Sequence, residues 1–174
     1  EAQQPPELLE YVASFAWPHG PKTVHVRVFQ GGLVAAVVES WYPADDNEYA
    51  VLLEDDIEVS PLFYRYVQSA LDSYVRVGSP PNVFGVSLYT PRVVETKVRS
   101  GRSSGVSHRH FDAQSLTRNI SGGREDVPYL QILPCSWGAL YFPRPWKQFV
   151  KYMDFRTAGG NLSSTSPETR RFVI

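Results

Sequence analysis

Tyr49-Ala50-Val51-Leu52-Leu53-Glu54-Asp55-Asp56-Ile57-Glu58-Val59-Ser60-Pro61 is an apolar run that ends in three consecutive acids. Side chains alternate faces along a strand, so Val51 and Leu53 point one way and Ala50 and Leu52 the other. Both faces are then apolar. That is the pattern of a strand in a parallel sheet covered by helices on both sides, where ligands bind just beyond the carboxyl ends of the strands. Glu54, Asp55 and Asp56 fall at that place.

Adjacent carboxylates repel one another: at an effective dielectric of about 20, two unit charges roughly 4 Å apart interact by about 4 kcal/mol. A cation relieves the repulsion, and an all-oxygen set suits Mg²⁺ or Mn²⁺, ions usually held by one or two carboxylates plus substrate phosphates. If the strand geometry persists, Glu54 and Asp56 share a face and Asp55 opposes them. A second reading needs no ligand. Ser60-Pro61 has the form of a helix cap followed by proline in the first turn, and acids just before a helix are stabilised by its dipole. Glu58 belongs to this second reading.

The rest of the chain supplies helices and strands around that run. Glu7 to Phe15 has Leu8, Leu9, Val12 and Phe15 at helical spacing, and Trp17-Pro18-His19-Gly20-Pro21 ends it as a loop. Lys22 to Phe29 alternates as a strand. Gln30-Gly31-Gly32 breaks it, and Leu33, Val34, Val37, Val38 and Trp41 make a helical stripe; the glycines read as a turn or as an approach for a nucleotide. Pro61 to Val77 is the clearest helix, with Phe63, Val67, Ala70, Leu71 and Tyr74 on one stripe. Val83 to Leu88 is a further strand, and right-handed crossovers between neighbouring parallel strands are the expected topology. Tyr129 to Leu133 starts as a strand, and Pro145 to Met153 carries Trp146, Phe149, Val150 and Met153 at helical spacing.

At 174 residues, 43% hydrophobic and 20% charged, the chain can bury one real core. A net charge of -1 gives no global attraction for nucleic acid or anionic membrane. No stretch approaches the roughly 18 to 20 apolar residues of a membrane span, so a membrane connection is expected only through an anchor upstream. The one cysteine, Cys135, excludes an internal disulfide and reads as a small buried residue in preference to a nucleophile. Asn119-Ile120-Ser121 and Asn161-Leu162-Ser163 are glycosylation sequons, usable only in the secretory pathway. Tyr89 to Asp126 is rich in glycine, serine and arginine (Arg99, Arg102, Arg109, Arg118, Arg124) and reads as loops. His108 and His110 share a strand face without a third ligand at zinc-like spacing.

The acidic run also carries a resemblance. Glu48 to Pro61 resembles the Glu-Asp-Asp version of the Asp-x-Asp region of metal-dependent, GT-A-type glycosyltransferases, and is similar to the plant and algal family-2-like and N-acetylglucosaminyltransferase I-like enzymes. Trp17-Pro18-His19-Gly20-Pro21-Lys22-Thr23, Gly32-Leu33 with Trp41-Tyr42-Pro43, and Pro134-Cys135-Ser136-Trp137-Gly138-Ala139-Leu140-Tyr141-Phe142-Pro143 resemble further segments in the same order. The likeness covers most of residues 5 to 155. It implies a single α/β, GT-A-like (Rossmann-like) domain over residues 1–156, with a mostly parallel sheet flanked by helices, a flexible tail over 157–174, and truncation at both ends.

The resemblance further implies transfer of a sugar from a nucleotide-sugar donor, with UDP as leaving group, to a glycan or protein acceptor, in the secretory pathway or Golgi lumen. Asp56 would ligate Mn²⁺ or Mg²⁺, Glu54 and Asp55 would contact the donor's ribose or sugar, and Trp137 and Gly138 would lie near the donor sugar. There are two departures: such enzymes usually begin with a nucleotide-binding strand, whereas six residues precede the first helix here, and the tail offers no match for the carboxylate base of inverting members, Glu168 being a poor candidate. These departures motivate an alternative from another class, a non-catalytic module serving as a structural or interaction subunit of a larger assembly. Phosphoryl transfer by the same acids is a third reading, but it lacks a glycine loop with lysine.

Overall fold

Ala139-Leu140-Tyr141 is the most deeply buried strand among the described residues of the computed structural model, and the larger of two structural units is built on it. The units are Glu1–Tyr42 and Pro43–Ile174. The structure describes residues 5–27, 31–76, 83–90, 93–94, 109–112, 118, 128–131, 137–158 and 172–173.

In the first unit, α1 (Pro6–Ser14) begins with proline in its first turn, where the missing N–H costs nothing. Its last carbonyls need partners, and the loop through Gly20 brings Lys22 back to supply them. The Lys22 Nζ donates to the carbonyls of Val12 at 2.7 Å and Phe15 at 2.6 Å. α2 (Gly32–Val38) starts at a glycine with φ +69°, a left-handed conformation that glycine adopts without strain. Arg27 donates to the Ala35 carbonyl at 2.7 Å and pairs with Glu39 at 2.8 Å. The strand expected over Lys22–Phe29 does not form across residues 22–27. Alternation specifies a strand only where a neighbour pairs its edge and buries one face, and here Val24 and Val26 stay exposed.

The second unit holds a five-stranded sheet in the order β1 (Ala50–Leu52), β6 (Ala139–Tyr141), β2 (Gly85–Ser87), β7 (Phe172–Val173), β5 (Leu130–Gln131). β6 pairs antiparallel with both β1 and β2, matching Val51 to Leu140 and Val86 to Leu140. β7 joins β2 in parallel at Val86–Val173 and β5 antiparallel. A separate ribbon pairs β3 (Val93–Val94) with β4 (Arg109–His110). Two helices serve the sheet: α3 (Phe63–Leu71), which continues as a π-helical turn over Asp72–Arg76, and α4 (Pro143–Thr157).

The mostly parallel, Rossmann-like GT-A sheet expected from the acidic run is therefore corrected. β1 and β2 run in the same direction, but they are not neighbours; β6 lies between them, antiparallel to each. The error has a physical source. Burial on both faces requires cover on both faces, not parallel pairing. Leu140 and Phe142 cluster with Val67 and Ala70 of α3. On the other side the Tyr141 ring meets Trp146 of α4 at 5.0 Å between centroids, and Phe84 meets Phe149 at 5.9 Å. β1 itself is only half-buried. Gly85 sets the spacing of the central pair, because a Cβ there would overlap the Leu140 carbonyl oxygen.

Several other expectations meet the structure directly. α4 starts two residues earlier and ends four later than Pro145–Met153. Phe172–Val173, assigned to the tail, pair within the sheet. Gln30, Arg99, Arg102, His108, both sequons, Arg124, Cys135 and Glu168 lie outside the described residues.

Candidate functional site

Because β1 and β2 run one way and β6 the other, the carboxyl ends of the first two and the amino end of the third lie along one edge of the sheet. The chain leaves β1 through Leu53 and the acids, leaves β2 through Leu88 and Tyr89, and enters β6 through Trp137 and Gly138. Backbone links join these segments: the Leu88 N–H donates to the Gly138 carbonyl at 3.0 Å. Gly138 has φ +89°, and a Cβ there would stand 3.5 Å from the Leu53 side chain.

A pocket of about 480 Å³ opens at this edge, lined by residues 53 and 56–60 after β1, Phe63 and Tyr66 of α3, and Leu88, Tyr89, Trp137 and Gly138. From Asp56 to Ser60 exposed and half-buried residues alternate. Ile57 and Val59 are half-buried while Asp56, Glu58 and Ser60 are exposed. The Ser60 hydroxyl accepts from the Leu62 N–H at 3.2 Å, and the Ser60 carbonyl accepts from the Phe63 N–H at 2.9 Å. These bonds shape the turn into α3, so the capping role read for Ser60 belongs to the turn ahead of the helix. The opposite wall is aromatic. Trp137 is 53% exposed and meets Tyr89 edge to face, with centroids 4.9 Å apart and planes at 71°.

Of the residues singled out in the sequence, Asp56, Trp137 and Gly138 come together in this pocket, and Glu54 and Asp55 do not line it. The strand ends at Leu52, and the chain turns at Asp55-Asp56, with the Ile57 N–H 3.4 Å from the Glu54 carbonyl. The shared face expected for Glu54 and Asp56 is lost in that turn. The lining residues that escaped the sequence reading as site residues include Glu58, Phe63, Tyr66 and Tyr89. Tyr89 was accessible to the rule used for β1, since it too follows the carboxyl end of a strand.

Among the described residues no group of three or more His, Cys, Asp or Glu side chains is placed to hold a metal ion. A Mg²⁺ or Mn²⁺ site does not require one, because such ions take one or two carboxylates and complete their shell with substrate phosphates and water. The Asp56 and Glu58 carboxylates, both oxygen donors on one wall, fit that requirement. Among the described residues neither has a hydrogen-bond or ion-pair partner, and no Lys, Arg or His lines the pocket.

Residues 2–104 match the family model described as the SPBC1E8.03c C-terminal domain. The chain belongs to that family. The match spans more than half of the sequence and takes in both helices of the first unit, the acidic run and α3; the SPBC1E8.03c C-terminal domain description names no activity. Trp137 and Gly138 lie beyond the matched residues. No curated protein and no solved structure matches the chain.

Proposed function

We propose that the chain binds a nucleotide-sugar, with UDP as the leaving group, together with Mn²⁺ or Mg²⁺, and transfers the sugar to a glycan or protein acceptor in the secretory pathway. One observation carries the reading: Asp56 and the Trp137-Gly138 passage, distant in sequence, line the same pocket at the sheet edge. In this reading Asp56 supplies the carboxylate that holds the metal, and Trp137 and Tyr89 wall the space for the sugar, whose ring carbons pack on aromatic surface. The cation, when bound, offsets the negative charge that builds on the diphosphate as the sugar departs. Without it a diphosphate would meet two unpaired carboxylates and no cationic side chain among the described lining residues. Donor affinity should therefore depend strictly on divalent metal.

Thermal unfolding tests this. With a UDP-sugar and Mn²⁺ at about 100 times the dissociation constant, binding adds about 2.7 kcal/mol. That should raise Tm by roughly 5–10 °C in a chain of this size. Metal omission or Asp56→Ala should each remove the rise. An equal rise without metal would overturn the reading.

A second reading, a non-catalytic module within a larger assembly, is favoured by the separation of Glu54 and Asp55 from the pocket. Donor turnover by the purified protein decides between the two: hydrolysis of a UDP-sugar supports the enzyme, and saturable binding without turnover supports the module.

A further inference from the structure

The described lining of the pocket combines two unpaired carboxylates, Asp56 and Glu58, with four aromatic rings, Phe63, Tyr66, Tyr89 and Trp137, and contains no basic side chain. Tyr89 packs edge to face against Trp137 with planes at 71°, and about half of the Trp137 surface stays exposed. Aromatic faces attract cations through the ring quadrupole, most strongly at tryptophan, and nearby carboxylates add a direct Coulomb term. An exposed tryptophan surface beside unpaired acids is the chemistry that recognises an organic cation.

We propose that the pocket binds an alkylammonium group, seated on the exposed surface of Trp137 and neutralised by Glu58. The occupant is a substituent of the alkylamine class, carried by an acceptor or a free ligand. Charge complementarity selects it: the described walls bring a formal charge of two carboxylates and nothing to balance them. The inference does not depend on the donor reading, since neither metal nor nucleotide takes part.

The test uses the full chain and tetramethylammonium chloride as the probe, with sodium chloride at equal ionic strength and the neutral analogue 3,3-dimethyl-1-butanol as controls. Indole N–H resonances of the four tryptophans are followed by NMR, with the Trp137 signal assigned by its loss in Trp137→Phe. Tetramethylammonium should shift the Trp137 signal saturably, and the neutral analogue should bind at least about fivefold more weakly. Glu58→Gln should weaken binding by about fivefold while leaving the melting temperature unchanged, because Glu58 is exposed. Trp137→Leu should abolish saturable binding detected by calorimetry. Equal binding of the neutral analogue, no saturable shift, or full affinity in Trp137→Leu would each overturn the proposal. Asp56→Ala should retain saturable tetramethylammonium binding, and its loss there would overturn the assignment of the neutralising carboxylate to Glu58.

Discussion

The two structural units differ in what they do with the same kind of sequence signal. α1 has a clean helical stripe, yet none of its residues is buried, and Leu8, Leu9 and Phe15 are all exposed. α3 has a similar stripe, and it buries Val67 and Ala70 in the cluster around Leu140. Periodicity is therefore enough to specify a helix, while burial decides what that helix contributes to stability. In α1 the holding interactions are polar, through Lys22; in the second unit they are apolar and aromatic on both faces of the sheet.

The largest expected effect breaks the second unit at its best-packed side chain. Trp146 is 1% exposed and touches Phe84, Tyr141 and Phe149. Trp146→Ala should cost about 3–5 kcal/mol, whereas Leu8→Ala should stay within about 0.5 kcal/mol, both measured by urea unfolding. Next comes Gly85→Ala, which drives a methyl group into the Leu140 carbonyl. It should cost about 1–3 kcal/mol and perturb the β2–β6 amides in hydrogen exchange. Gly138→Ala should cost about 1–2 kcal/mol, because its φ of +89° strains any side-chain-bearing residue.

The smaller effects sharpen the contrast from the polar side. Lys22→Met removes the donor to the last carbonyls of α1 and should cost about 0.3–1 kcal/mol, seen as faster amide exchange confined to α1. In the second unit Asp46 accepts from Arg144 at 2.7 Å and Lys147 at 3.2 Å. The Arg144 bond, then the Lys147 bond, hold its carboxyl below the ordinary aspartate value of 3.8. A depressed folded-state value means that the stabilisation is complete above 3.8 and is lost as pH falls through the lower folded value. Asp46 is exposed, so this acid-side loss should be slight, should shrink further in high salt, and should vanish in Asp46→Asn.

Local features were legible in the sequence where a single periodic stripe or cap decides them. The helix at Pro6–Ser14 overlaps the stretch that periodicity marks, and the helix at Phe63–Leu71 and the strands at Ala50–Leu52 and Gly85–Ser87 fall within the stretches read for them. The pairing was not legible. Ala139-Leu140-Tyr141 follows the small-residue passage at Trp137-Gly138, and nothing in its own pattern says that it pairs between β1 and β2. Without that strand, an apolar run with two apolar faces looks parallel. The pocket was half legible: Asp56 and Trp137 could be named from sequence, but Glu58 looked like a helix-start residue. The turn at Asp55-Asp56, which takes Glu54 and Asp55 away from the pocket, depends on where β1 stops.

The central claim is that the acidic loop after β1 and the tryptophan before β6 serve one ligand site, and paramagnetic broadening by Mn²⁺ tests it most directly. With UDP and substoichiometric Mn²⁺, the Trp137 indole N–H signal should broaden selectively relative to Trp146, and Asp56→Asn should restore it. Unbroadened Trp137 at saturating UDP and Mn²⁺, or equal broadening in Asp56→Asn, would contradict the account.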